Sequence, residues 1–208
     1  MSTLMTYYDT NQAHPYAGTL IIHAVVPRDL DPREVSRAGL LAQTALAPFR
    51  DDSGHAWVEL IDTEGKRHTW STWGKELVFP RLGIRHGVGL CRDRELDLER
   101  IQEFATGREN WIHESRLHVR RGKDITPSQL DAALRQEKLF LSKGERAFSK
   151  LFPCSHFSAV FWANVTGERL HDRAMGLLSA PSLLAQHVLK LNERDLRRER
   201  DWGLEMER

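Results

Sequence analysis

Cys154 and His55 are the two side chains of this 208-residue chain whose types and settings suit covalent chemistry. Cys154 follows Pro153 and opens a stretch in which Phe157, Phe161 and Val165 recur at helical spacing. A cysteine in the first turn of a helix meets unpaired N–H groups and the positive end of the helix dipole, and both favour thiolate over thiol. The same N–H groups can hold an oxyanion after attack on an acyl carbon. The competing reading is a small core hydrophobe, because Cys154 shares the apolar stripe. His55 follows Gly54 and opens a strand, from which an imidazole can reach a helix packed on the sheet and act as base to a thiol. An ordinary strand-end histidine is the other reading of His55.

A third polar group is needed to fix the imidazole tautomer. The segments 54–60 (GHAWVEL) and 66–71 (KRHTWS) flank the polar turn Asp62-Thr63-Glu64-Gly65, a β-hairpin pattern. In the first arm Ala56, Val58 and Leu60 share one face, and His55, Trp57 and Glu59 share the other. His68 in the second arm is the candidate orienting residue. A four-residue loop without a bulge puts His68 on the His55 face, whereas a bulge at Gly65 brings Thr69 or Ser71 there instead.

Composition narrows the field. Apolar residues make up 40% and charged residues 28%, the balance of a folded globular domain. Thirty basic against twenty-nine acidic side chains give no bias toward a polyanion, so no nucleic-acid partner is expected. Two cysteines exclude a disulfide scaffold. His55, His68, His86, Cys91 and Cys154 lack Cys-x-x-Cys or His-x-x-x-His spacing, so neither a metal nor any other cofactor is expected. The longest apolar run, Leu20 to Val26, is broken by His23 and is far below the roughly 20 residues of a spanning helix. Met1 to Pro15 lacks the basic and apolar regions of a Sec signal, so export would need another route.

The elements that must position these residues can be read along the chain. Gly18–Val26 reads as a buried strand and Asp31–Leu46 as a helix. Trp73 to Cys91 is Gly-rich and reads as irregular with room for a short strand; Glu95–Ala105 suggests a helix and Leu117–Arg120 a strand. Thr126-Pro127 starts a helix with Leu130, Ala133, Leu134 and Leu139 on its apolar side. The helix from Cys154 ends near Thr166-Gly167, and Ala180-Pro181 precedes a last amphipathic helix. The charged run from Asn192 reads as a solvated helix end. His156 points away from Cys154 on its helix and reads as a supporting or a surface residue, and Cys91 as structural. Trp57, Trp70 and Trp73 cluster around the hairpin, as packing or as the lining of a groove.

Gly54-His55-Ala56-Trp57-Val58-Glu59-Leu60, the hairpin carrying His68, and Pro153-Cys154-Ser155-His156-Phe157 together resemble the NlpC-type papain-like cysteine hydrolases. The superfamily usually has its cysteine before its histidine; the reverse order here is similar to the circularly permuted branch. That branch includes lecithin:retinol acyltransferase-like proteins, whose Asn-Cys-Glu-His-Phe is close to Pro-Cys-Ser-His-Phe, and TseH-like type VI secretion effectors. Pro153 departs from the Asn or Asp usual before the cysteine. The resemblance covers 54–166. It implies one α+β domain over 1–208, with a papain-like antiparallel sheet, a packed nucleophile helix and a C-terminal helical extension at 181–208. It implies Cys154 as nucleophile, His55 as base and His68 as orienting residue. The implied activity is hydrolysis of an amide bond in peptidoglycan by an antibacterial effector exported to a target periplasm, with an immunity protein and a secretion component as partners. An acyltransferase, thioesterase or deamidase on the same dyad, or an inactive binding module, are the rival expectations.

Overall fold

A computed structural model of the chain describes residues 15–27, 30–36, 38–40, 42, 54–79, 84–97, 116–143, 153–174 and 178–206. The β-branched, apolar run near the N-terminus becomes β1 (Gly18–Pro27), buried along its whole length. It lies inside a five-stranded sheet with β2 (His55–Asp62), β3 (Arg67–Phe79), β4 (Ile84–Arg92) and β5 (Arg116–Ile125). The order is β4-β3-β2-β1-β5, and all neighbours are antiparallel. A central strand covered on both faces explains why β1 reads as a continuous apolar run.

The β2–β3 hairpin fixes which side chains share a face. The Gly65 N–H donates to the Asp62 carbonyl at 3.0 Å and the Asp62 N–H to the Lys66 carbonyl at 3.0 Å. Asp62 Oδ1 accepts from the N–H groups of Glu64 and Lys66, each at 2.9 Å. Gly65 takes φ +79°, the left-handed conformation that closes such a turn. Pairing then runs Leu60 with His68, Glu59 with Thr69 and Val58 with Trp70. His68 therefore lies on the Leu60 face, and Thr69 and Ser71 take the His55 face.

The stretch from Trp73 to Cys91 is strand at its described residues, more than the short strand within an irregular stretch that was expected. It supplies the far part of β3 and most of β4, with Trp73 opposite Gly89 and Gly74 opposite Gly87. The backbone ladder needs no side-chain alternation, and its register shifts fall at and beyond Gly74. Of the helices expected at Asp31–Leu46 and Glu95–Ala105, the described residues are helical at 38–40 and 42 and at 94–97. Residues 31–36 form a turn and bend instead of the start of the expected helix, and positions 37, 41, 43–46 and 98–105 lie outside the described residues.

The main helices are α1 (Pro127–Lys143), α2 (Cys154–Thr166) and α3 (Pro181–Met206), with the two-stranded ribbon β6 (Arg173–Ala174) and β7 (Leu178–Ser179) before α3. A capping box opens α1: the Thr126 N–H donates to Gln129 Oε1 at 2.9 Å, and the Gln129 N–H to Thr126 Oγ1 at 3.4 Å. Its buried residues are Ala133, Glu137 and Phe140. Leu134 and Leu139, expected on the buried side, are 40% and 47% exposed because they fall off that i, i+4, i+7 stripe. Gly167 ends α2 in a left-handed cap, its N–H donating to the Ala163 carbonyl at 2.9 Å.

The helices pack on one face of the sheet. Leu20, Ile22, Ala24 and Val26 of β1, Ala56, Val58 and Leu60 of β2, and Trp70 form one core with Phe157, Phe161, Val165, Leu184 and Val188. On this face Arg121 of β5 ties the helical layer down. Its guanidinium donates to both Glu168 carboxylate oxygens at 2.7 Å, to Asp195 Oδ2 at 2.8 Å and to Asn192 Oδ1 at 3.0 Å. Asn192 and Asp195 are thus buried, and the start of the charged run is a clamp instead of a solvated end. Arg121→Ala leaves the buried Asp195 and the half-buried Glu168 without their shared guanidinium and is expected to cost about 3 kcal/mol. Urea unfolding of the variant checks this.

Candidate active site

His55 is placed by its neighbour. Gly54 has φ +86°, and a Cβ there would sit 2.2 Å from the Val25 carbonyl oxygen, so only glycine fits against β1. The next residue, His55, pairs with Val25 in the ladder and is 4% exposed. Its Nε2–H donates to Glu95 Oε1 at 2.9 Å. The Cys154 side chain lies beside the same imidazole and raises its affinity for a proton. The structure therefore brings Cys154 and His55 together and lines up Glu95, His55 and Cys154.

His68 is not part of this line, which corrects its assignment as the orienting residue. The turn at Gly65 shifts the register by one, so His68 falls on the opposite face of β3 and its Nε2 lies 3.3 Å from Asp62 Oδ2. Glu95 holds His55 instead. Beyond β4, Asp93 adopts a left-handed φ of 56°. It is clasped to β3: its N–H donates to the Thr69 carbonyl and its Oδ1 accepts from the Thr69 N–H, both at 2.9 Å. This turn starts the helical stretch at 94–97 and folds Glu95 back onto the His55 face, 1% exposed. Trp73 braces the pair. Its ring lies 4.0 Å from that of His55, and its Nε1–H donates to Ser71 Oγ at 2.8 Å and toward Glu95 Oε1 at 3.3 Å. Ser71, the alternative orienting residue, also hydrogen-bonds Glu95 and so stands one step from the imidazole. Thr69 engages Asp93 through its backbone and does not meet His55 through any described bond.

Electrostatics follow from this packing. Burial alone would lower the His55 pKa, but the Cys154 sulfur and the Glu95 carboxylate outweigh it and raise the imidazole to about 9. Burial would raise Glu95, yet its hydrogen bond to His55 holds it below the usual carboxylate range. At neutral pH the ring is an imidazolium between a carboxylate and the sulfur.

Cys154 is 7% exposed and begins α2. The N-cap is Pro153, extended at φ −72°, ψ 176°, with no side-chain cap. The first helical bond runs from the Phe157 N–H to the Pro153 carbonyl, so the N–H groups of Cys154, Ser155 and His156 precede the ladder. This turn is fastened from behind. Ser155 donates to Ser179 Oγ at 2.8 Å, and Ser179 donates to Asp172 Oδ2 at 2.5 Å. The same Asp172 oxygen accepts from His156 Nδ1–H at 3.1 Å, and His156 Nε2 accepts from Arg173 at 2.7 Å. His156 supports the turn that carries the thiol. Cys91 is half-buried and pairs with Ser71 across the β3–β4 ladder, its sulfur 4.0 Å from the Arg94 guanidinium.

No known family model matches this chain, and no characterised protein or solved structure matches it. Among the described residues no three His, Cys, Asp or Glu side chains form a metal-binding group, and no helix is long and apolar enough to cross a membrane.

Proposed function

We propose that the chain is a cysteine hydrolase built on a circularly permuted papain-like domain, with Cys154 as nucleophile, His55 as acid and base, and Glu95 as the residue that orients His55. The reading rests above all on one observation: a buried Glu95–His55–Cys154 line whose sulfur opens an uncapped helix N-terminus. The Cys154 thiolate attacks an amide carbonyl carbon while helix-start N–H groups receive the oxyanion. Collapse breaks the C–N bond, and the amine leaves with the proton of the His55 imidazolium. His55, now neutral, takes a proton from water as that water attacks the thioester, releasing the acid and restoring the thiolate.

The proposed substrate is a peptide bond in peptidoglycan, and the proposed context is an antibacterial effector delivered to a target periplasm, with a cognate immunity protein. Purified protein incubated with peptidoglycan fragments, with acyl thioesters and phospholipids as parallel substrates, tests this. Release of a new amine and carboxylate from the fragments is the expected result; turnover of the thioester or lipid alone would favour acyl transfer, and no turnover of any would favour a binding module. The high-pH limb of kcat/KM is expected near pH 9, where His55 loses the proton it must give the leaving group. A limb near 6.5, the ordinary histidine value, would contradict the ion pair.

A further inference from the structure

The three tryptophans around the β2–β3 hairpin divide between the two faces of the sheet. Trp70 belongs to the core under the helices, its ring 5.3 Å from that of Phe161. Trp57 and Trp73 lie on the other face, and both meet His55. The Trp73 ring is 4.0 Å away and tilted by 33°. Trp57, two residues along β2 and so on the same face, is stacked at 5.7 Å with the planes 19° apart.

Trp57 is 2% exposed and is held from a second direction. It pairs with His23 across the β1–β2 ladder, and the two rings stack at 4.5 Å, 6° from parallel. His23 is fixed in turn, its Nε2 lying 2.9 Å from Glu59 Oε2, while Glu59 Oε1 accepts from Arg67 Nε. Burial pushes Glu59 up, but His23 and Arg67 outweigh it and draw the group down to about 2, so it is a carboxylate. Burial lowers the His23 pKa and keeps that ring neutral.

Charge decides what this packing does. An indole has a negative face, which attracts a cation within about 6 Å of the ring centre. Of the two histidines stacked on Trp57, His23 is neutral and His55 is the imidazolium. Trp73 already carries a cation, the Arg94 guanidinium carbon 4.5 Å from its ring centre. The other charged or titratable groups beside His55 are Glu95 and Cys154 of α2. Those around Trp57 and His23 are Glu59 of β2, Arg67 of β3, and His118 and Arg120 of β5.

We propose that Trp57 is a positioning residue for His55: its indole, pinned by His23, keeps the catalytic ring in place and stabilises its charged form. The inference rests on the hydrolase reading and adds a residue that acts through the acid–base group without touching the substrate. An imidazolium stabilised in this way keeps the proton for the leaving amine to a higher pH. One indole face contributes about half to one pH unit.

The test follows the His55 ring by proton NMR across pH, its signal assigned by its loss in His55→Gln, beside the pH profile of kcat/KM. The wild-type midpoint is expected near 9. Trp57→Leu removes the aromatic face and is expected to lower the midpoint by about half to one pH unit, with the high-pH limb of kcat/KM moving alongside. Trp57→Phe restores an aromatic face and is expected to recover most of that shift. A second measurement leaves the packing almost untouched: difluorotryptophan throughout the chain keeps the indole shape and weakens its negative face. It is expected to lower the midpoint in wild type, and to lower it less in Trp57→Phe, where Trp73 is the tryptophan left beside His55. A midpoint unmoved in Trp57→Leu, or a fluorination shift as large in Trp57→Phe as in wild type, overturns the inference alone. A wild-type midpoint near 6.5 with no hydrolysis of any substrate overturns the hydrolase reading and the inference with it.

Discussion

Cys154→Ala is expected to reduce turnover by about 10⁴-fold or more, because in the proposed mechanism the sulfur forms the bond that splits the reaction into two steps. The neighbouring Ser155 cannot substitute: it is fully buried and its hydroxyl is bonded to Ser179. The rest of the site survives the change, since His55 keeps Glu95 and α2 keeps its anchoring network. Loss of one buried sulfur costs about 1 kcal/mol, so the variant should melt close to wild type. Cys154→Ser should be equally inactive, because a hydroxyl does not ionise beside His55 at neutral pH. Hydrolysis assays beside thermal melts decide the matter. A folded and active alanine variant would remove Cys154 from the mechanism.

Glu95→Gln and His68→Ala separate the two candidates for the orienting residue. Gln keeps the shape of Glu95 and removes its charge, leaving the imidazolium without its carboxylate. Rates are expected to fall by about 10²- to 10⁴-fold, the range seen when a group that holds or moves a catalytic proton is lost. The high-pH limb should also move down from about 9 toward 6.5, because the carboxylate helps to keep the ring charged. His68→Ala should leave both the rate and the limb unchanged, since that ring faces Asp62 at the hairpin turn. Measuring kcat/KM against pH for both variants checks the pair of outcomes.

The contrast between His68 and Glu95 shows what the sequence carries and what it conceals. Strand β1, the β2–β3 hairpin, the Thr126 cap and the Cys154 helix are all readable, because periodicity, turn residues and caps are local signals. Cys154 and His55 stand out for the same reason, each sitting at the start of an element. The orienting residue depends on two non-local facts. One is a single-residue register choice at Gly65, which decides the face His68 occupies. The other is the path through β4, whose glycines hide a strand and whose Asp93 turn returns Glu95 to β3. Nothing in the type or spacing of Glu95 announces that return. The buried clamp around Arg121 is hidden likewise, since Glu168 and Asp195 read as ordinary surface charges until β5 and α3 are packed together.

The proposed pairing of a Cys154 thiolate with His55 is tested most directly by competition between the two cysteines of the chain. Cys91 is the more exposed of the two and Cys154 is buried, so accessibility alone would make Cys91 react first with iodoacetamide. A thiolate held by His55 reverses that order. Peptide mapping after brief alkylation at pH 6.5 should find Cys154 modified ahead of Cys91 in wild type, with the order restored to that of exposure in His55→Ala. Slow labelling of Cys154 that is the same with and without His55 would contradict the account.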